Sequence, residues 1–502
     1  MHISQLEKIQ RREFMRRAGA LGIMGSAGPL ALSLAAMGEA SAATGPSDYK
    51  ALVCIFLYGG NDHDNTFIPV DAAGAAAYKK YRNLDSTSDS DIYVKPNDLI
   101  RLVPQNANAY SSMYAVQPVM SPLADLFNNK KKLGVLLNVG TLTNPTTKSK
   151  YGNGNLSLGE LPPKLFSHND QFSLWQTSLA TGSEGAIRGW GGRMGDIFLR
   201  NNSKNSNAHF TCINAASNAV FLAGDAVLPY RVTSTGAVPI NSIGTTQSFF
   251  YASSQSVEPL NALKTILQPS TAPGHWMEAE WNRVVQSSID NQATVATLIT
   301  GLGTTKDAIT NRFSANTDNS LSSQLEIIAK MIAAAKSDSS LGVTRQVFFA
   351  SLGGFDLHDN LAANHGPLLK KVNDAMFSFY QATEDVGVQN QVTTFTASDF
   401  GRTLASNGDG ADHGWGSHHM VMGGAVDGGK FWGTAPDISL ANALDGPDTV
   451  GQGRLLPSTS VDEFAAALAR WMDVPDSDLN TVLPNLASFS GRTPLSLFKT
   501  IA

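Results

Sequence analysis

Three well-separated stretches of this 502-residue chain repeat one pattern. A short apolar, β-branched run stops at or near glycine, and Asp and His follow at once. ALVCIFLYGGNDHDN spans Ala51–Asn65 and RQVFFASLGGFDLHDN spans Arg345–Asn360. The third stretch, QVTTFTASDFGRTLASNGDGADHGWGSHHMVMGGAVDGG, spans Gln391–Gly429. Its first apolar run ends in Asp399. A Gly-rich loop then carries Asp412, His413, His418 and His419, and a second apolar run covers Met420–Val426. Apolar runs of this length, bounded by glycine, are buried-strand candidates. In open α/β sheets, ligands bind just beyond the carboxyl ends of the strands. The pattern therefore predicts an α/β fold built on a central sheet. It also predicts that several strand ends bring Asp and His together.

Hydrophobic content of 42% and charged content of 16% fit a globular chain with a sizeable core. A formal net charge of -5 gives no reason to expect nucleic acid or an acidic membrane surface as partner. Cys54 and Cys212 each lie inside an apolar run, which favours two buried reduced thiols over a disulfide.

Residues 1–42 read as a twin-arginine export signal. Arg11 and Arg12 precede Glu13, Phe14 and Met15, and an uncharged stretch runs from Ala18 to Gly38. Ala40-Ser41-Ala42 supplies a small-residue cleavage pattern, so the mature chain is expected to begin at Ala43. The alternative is a membrane anchor helix. The richness in Gly, Ala and Ser and the cleavage pattern favour a removable leader, read by the twin-arginine translocase, with no stable span afterwards. The destination is then the periplasm or the medium.

Within residues 43–502, Tyr49–Tyr58 and Lys132–Val139 read as central strands, with a short helix at Pro122–Asn128. Ala72–Ile100 is polar and reads as surface loop with a short helix. Residues 201–342 differ in composition and read as an inserted cap. HFTCINA, AVFLAGD and VLPYRVT are strand-like there, one helix is expected over Trp276–Ile309, and Leu321, Leu325, Ile328 and Ile332 mark a second. Leu368–Val386 has helical periodicity between strand candidates Gln346–Ala350 and Val392–Thr396, as in a parallel crossover. Ser460-Val461-Asp462-Glu463 is a capping box.

Seven of the ten histidines lie in or beside these motifs: His63, His168, His358, His365, His413, His418 and His419. Packing alone explains such clustering poorly. Asp62, Asp356, His358, Asp399 and His413 form the predicted metal set. Mixed carboxylate and imidazole ligands favour Zn or Mn over Mg or Ca, as one or two ions. Ser167 precedes the amphipathic run QFSLWQTSL and reads either as that helix's N-cap or as a nucleophile at its N-terminus. Arg402 and Asn65 are candidates for holding ester oxygens. Two cations about 4 Å apart could clamp a phosphate or sulfate ester.

At these residues the chain resembles an exported bacterial family, domain of unknown function 1501. LYGGNDHDN, SHNDQ, GGFDLHDN, SDFGRT and DHGWGSHHMVMGGAVDGG carry the likeness. That family is similar to the alkaline phosphatase and sulfatase superfamily. The resemblance implies a central mostly parallel sheet, divalent-metal sites built from Asp and His, and hydrolysis of small or polymeric phosphate or sulfate esters. It makes Asp62 the acid after the first strand, Asp356 and His358 a metal pair, Asp399 the later acid, His413 the late histidine and Ser167 the nucleophile, with Thr147 as an alternative. Phe400 stands where the superfamily has His or Asn. That departure leaves open a non-catalytic relative that binds a polysaccharide, lipid or partner protein in the cell envelope.

Overall fold

The protein is described here by a computed structural model covering residues 48–83, 91–95, 99–106, 113–152, 160–179, 187–217, 219–234, 236–237 and 276–499. The twin-arginine leader and its cleavage site lie outside the described residues. Among the described residues, no helix is long and apolar enough to cross a membrane.

The main sheet contains β1 (Lys50–Leu57), β2 (Leu133–Gly140), β3 (Cys212–Asn214), β4 (Tyr230–Thr233), β5 (Arg345–Leu352) and β6 (Val392–Ser398). A hairpin of β7 (Arg402–Ser406) and β8 (Ala411–His413) leads into β9 (Ser417–Gly423) and β10 (Phe431–Gly433). The sheet order is β10-β2-β9-β6-β1-β5-β3-β4. β1 is central and pairs in parallel with both β5 and β6. Its residues from Ala51 onward are all buried, as expected for a strand covered on both faces.

Alternation along β1 divides the core in two. Ala51, Val53, Ile55 and Leu57 face one hydrophobic cluster, and Leu52, Cys54 and Phe56 face the other. Among the described residues the longer helices are α1 (Ala72–Arg82), α2 (Ser121–Asn128), α3 (His168–Thr177), α4 (Trp190–Leu199), α5 (Trp276–Gly301), α6 (Thr304–Phe313), α7 (Ser320–Ser337), α8 (Leu361–Asp385) and α9 (Val461–Trp471). α7 and α8 supply Ile328, Ile332, Val372 and Phe379 to the first cluster. α4 and α9 supply Trp190, Met194, Phe464 and Leu468 to the second. The capping box that starts α9 has both of its reciprocal bonds.

Several expectations are adjusted. The helix expected over Trp276–Ile309 is two helices, because Gly303 takes a φ of +53°, outside helical space. AVFLAGD forms only a short turn at Val220–Leu222, not a strand. α8 begins at Leu361 and runs through Pro367, which removes one backbone donor without ending the helix. Residues 201–342, expected as an inserted cap, contribute β3 and β4 to one edge of the main sheet, with β3 paired to β5. Cys54 and Cys212 are free and buried.

The direction of one strand matters for the site. β1, β5 and β6 run in parallel, so the segments after them emerge on one rim. β9 is antiparallel to β6 and β2, so the segment before it starts from that same rim. His413, which precedes β9, thereby joins the residues that follow the parallel strands.

Candidate metal centre

His168, Asp356 and His413 each present a ligand atom, and these atoms all lie within 4.8 Å of one another. Asp356 Oδ1 is 3.4 Å from His168 Nε2, 3.4 Å from His413 Nε2 and 3.2 Å from His358 Nε2. Donors around a tetrahedral Zn with bonds of 2.0–2.1 Å would be about 3.3 Å apart. His358 Nε2 is also 2.8 Å from His413 Nε2. The group faces solvent: Asp356 and His358 side chains are 48% and 43% exposed.

The other ring nitrogen of each histidine is already engaged. His168 Nδ1 lies 2.6 Å from Asp399 Oδ2, which also accepts from the Gly59 amide at 3.1 Å. His413 Nδ1 is 2.7 Å from the Phe166 carbonyl oxygen, and His358 Nδ1 is 3.3 Å from Asp412 Oδ1. A carbonyl or carboxylate can only accept, so each contact calls for a proton on Nδ1. In the neutral ring, that leaves Nε2 as a lone pair, turned toward the Asp356 carboxylate. Oxygen acceptors behind ligating imidazoles are the usual outer layer of metal sites. Phe166 has a φ of +71°, an uncommon conformation for a bulky residue. Arg454 lies over its ring at 5.0 Å and donates to the His413 carbonyl at 2.7 Å.

The electrostatics follow from these contacts. Burial lowers the His168 pKa, but the Asp399 hydrogen bond and the charges of Asp399 and Asp356 outweigh it, so the net shift is upward. Burial raises that of Asp356, yet Arg402, His168 and His358 hold it below the ordinary value. His413 is pushed down, first by burial and then by Arg402, His168 and His358.

Other sequence candidates are placed differently. Asp62 is buried and paired through both oxygens with Arg82, at 2.5 and 2.9 Å. It was expected as a metal ligand, but the guanidinium occupies it. Asn65 was expected to hold an ester oxygen. Instead, its amide nitrogen donates to the Ile92 carbonyl at 3.0 Å, and its oxygen accepts from Tyr78 and Arg82. Arg402, expected to grip the substrate, is fully buried at the side chain. It donates to the carbonyls of Gly59, Gly60, Phe355 and Ala411 and to the Asp356 carboxylate. With these donors committed, it joins the loops after β1 and β5 to the β7–β8 hairpin and fixes Asp356.

Ser167 occupies the N-cap position of α3, but its Oγ donates to Asp170 Oδ2 at 2.7 Å rather than capping the helix. Asp399 lies behind His168, and its Oδ1 is buried without a hydrogen-bond partner among the described residues. Phe400 packs its ring 4.7 Å from both His168 and His413 and offers no ligand atom. His365 is buried against Asn61 Oδ1 at 3.0 Å and pushed down to about 4 by burial. His418 and His419 are buried in β9, with burial pushing His418 well down and His419 down to about 3.

Sequence reasoning passed over His168 as a ligand and Asp412 and Phe166 as supports. The available signal for His168 was its place in SHND among the clustered histidines. For Arg82, whose guanidinium decides the fate of Asp62, no local signal existed.

The fold and this rim together define an α/β protein with an Asp/His centre at the carboxyl ends of a mostly parallel sheet. The chain belongs to the family described as "Protein of unknown function (DUF1501)", which matches residues 49–480. Nothing among curated proteins matches it. It is similar to a solved structure described as "Crystal structure of Ps i-CgsB in complex with k-i-k-neocarrahexaose". The identity is 7%, over 86% of this chain and 74% of that one, with a TM-score of 0.32. A likeness at that level carries no argument about function.

Proposed function

We propose that this protein is an exported, metal-dependent hydrolase of phosphate or sulfate esters. His168, Asp356 and His413 would hold one divalent cation, with His358 alongside. One observation carries the reading. Three imidazoles have Nδ1 engaged by oxygen acceptors while their Nε2 atoms lie 3.2–3.4 Å from one carboxylate oxygen. Lone pairs turned on a carboxylate repel one another unless a cation or added protons intervene. The nitrogen-rich donor set favours Zn or Mn over Mg or Ca. Phe400 packs against both His168 and His413 and offers no ligand atom, so the proposal is one ion, not two.

Such a cation would polarise the ester and stabilise charge on the leaving oxygen. The protein's own groups do the rest. Asp399, Asp412 and the Phe166 carbonyl hold the imidazoles in one tautomer. Arg402 fixes Asp356. Ser167, adjacent to His168, is the proposed nucleophile. Asp170, buried and already hydrogen-bonded to its hydroxyl, would accept the proton as the oxygen attacks. Read as a twin-arginine leader, residues 1–42 would send the mature chain to the periplasm or medium, where the proposed substrate is a small or polymeric ester and no nucleic acid partner is expected.

The test is metal analysis of the purified mature protein together with a screen of chromogenic phosphate mono- and diesters and sulfate esters. One equivalent of Zn or Mn with turnover of an ester is the expected result. A second reading, a non-catalytic relative that binds a polysaccharide, lipid or partner protein, is favoured by the committed donors of Arg402 and by the apolar Phe400. Bound metal with no turnover on any ester would select it. Absence of metal after growth with Zn and Mn would remove the proposal.

A further inference from the structure

Two partly buried aromatic rings are carried by segments that also carry the candidate centre. Phe172 lies one turn beyond His168 on α3, and residues four apart share a helix face. Tyr58 is the residue after β1 and is pinned on both sides. Its amide donates to the Leu352 carbonyl at 2.9 Å, and its carbonyl accepts from the Phe355 amide at 3.1 Å, next to Asp356. The following amide, that of Gly59, donates to Asp399. The two rings touch, with centroids 5.1 Å apart and planes at 47°. Behind them, Phe56 is fully buried and packs on Tyr58 at 4.8 Å and on Phe172 at 5.2 Å, so the pair rests on a rigid backing. Tyr58 and Phe172 themselves are only partly buried.

We infer that Tyr58 and Phe172 form a platform for a ring carried by the substrate, so that the centre prefers esters whose alcohol portion is an aryl or pyranose ring. The inference rests on the hydrolase reading above and names the substrate class for that same site. Its physical basis is the contact between a flat or apolar ring face and aromatic side chains, worth about 0.5–1.5 kcal/mol beyond the area buried. The backbone bonds of Tyr58 tie the platform to the loop of Asp356, the Gly59 amide ties it to Asp399, and α3 ties it to His168. A ring held there would lie at a fixed offset from the cation ligands, which turns binding into selection.

The test compares kcat/KM for ring-bearing esters with that for a ring-free one on the metal-loaded mature protein. Phenyl phosphate and glucose 1-phosphate are the two ring arms, and glycerol phosphate is the reference. The wild type should prefer at least one ring arm, and the arm preferred says whether the ring is aryl or sugar. In Tyr58→Leu and Phe172→Leu the preference should fall by about 3- to 10-fold toward parity, mainly through KM. Tyr58→Phe, which keeps the ring, should retain it. Equal preference in wild type and both leucine variants overturns the inference.

A binding arm needs no turnover. Calorimetric titration of metal-loaded protein with phenylphosphonate and methylphosphonate should show tighter binding of the phenyl compound, lost in the leucine variants. If no ester is hydrolysed but that difference holds, the hydrolase reading fails and the platform stands. If esters are hydrolysed without ring preference, the platform alone fails.

Discussion

Two groups of charged and polar side chains follow the ends of the parallel strands and have opposite characters. Behind β1, Asp62, Asp64, Asn65 and Arg82 form a closed network. The Arg82 guanidinium meets both Asp62 oxygens, Asp64 Oδ2 at 3.3 Å, the Asn65 oxygen and the Thr403 carbonyl at 3.0 Å. All these side chains are buried. On the rim, His168, Asp356, His358 and His413 are partly exposed, and three imidazole nitrogens surround one carboxylate oxygen. Both groups are built around aspartate carboxylates. The difference is whether a fixed cation of the chain arrives to complete the charge and the hydrogen bonds. Where Arg82 does so, the acids hold the fold together. On the rim Arg402 reaches Asp356 and lies 3.4 Å from His358 Nε2, while the Nε2 atoms of His168 and His413 stay turned on the carboxylate, which is the condition a metal ion satisfies.

The largest expected effect breaks the closed network. Arg82→Met should leave Asp62 and Asp64 as uncompensated buried charges and destabilise the fold by about 3–5 kcal/mol. Urea unfolding of the mature protein measures it. A loss under 1 kcal/mol would mean that the network is not closed as described.

Next comes the rim. His413→Ala should take bound metal from near one equivalent to near zero, read by elemental analysis. It should change the stability of the metal-free protein little, because the side chain is partly exposed. Chelating the wild type should lower its melting temperature, since a ligand that binds only the native state stabilises it by about 2.7 kcal/mol at a hundredfold excess over Kd. A melting temperature indifferent to chelator would argue against the centre.

The third prediction sets a buried histidine against a rim histidine by pH. The folded pKa of buried His365 is depressed to about 4 from 6.5, so the fold resists its protonation while the unfolded chain does not. Its stabilising contribution is present above pH 6.5 and is lost as pH falls toward about 4, with a limiting slope of about 1.4 kcal/mol per pH unit. His365→Gln should flatten that part of the melting-temperature curve. His168 has the opposite sign. Its raised folded pKa favours the native state at low pH, and that contribution fades as pH rises through the folded value. His168→Gln should therefore lose relative stability on the acid side.

The smallest effect sharpens the description of the rim. Asp412→Asn replaces the carboxylate behind His358 and should weaken metal binding by about 10- to 100-fold without abolishing it, as removal of outer partners generally does. Competition with a chromogenic chelator measures it. No change would place His358 outside the ligand set.

Much of the framework could be read along the chain. The apolar runs at Leu52–Phe56, Val135–Leu137, Val347–Ala350 and Val392–Thr396 are strands because β-branched and aromatic residues in series, stopped by glycine or a polar turn, are buried on both faces. Strand boundaries moved by a residue or two. The single helix expected over Trp276–Ile309 is interrupted after Gly301, because the positive φ of Gly303 breaks a helical periodicity that the side-chain pattern alone does not interrupt. The site was partly visible: Asp356, His358 and His413 stand together, and Asp399 stands behind His168. Asp62 and Asn65 carried the same local signature and were claimed by Arg82, a residue in a stretch that looked like surface.

The sequence by itself determined where strands form, that they run mostly in parallel, and that acids and imidazoles follow their ends, because burial pattern and glycine stops are local properties. Only the tertiary structure decided which of those groups are balanced within the chain and which are left facing one another. That depends on charges and carbonyls brought in from distant segments: Arg82 to Asp62, Arg402 to Asp356, Phe166 to His413. An ion pair or a metal centre is a balance among neighbours in space, and one-dimensional spacing does not encode it.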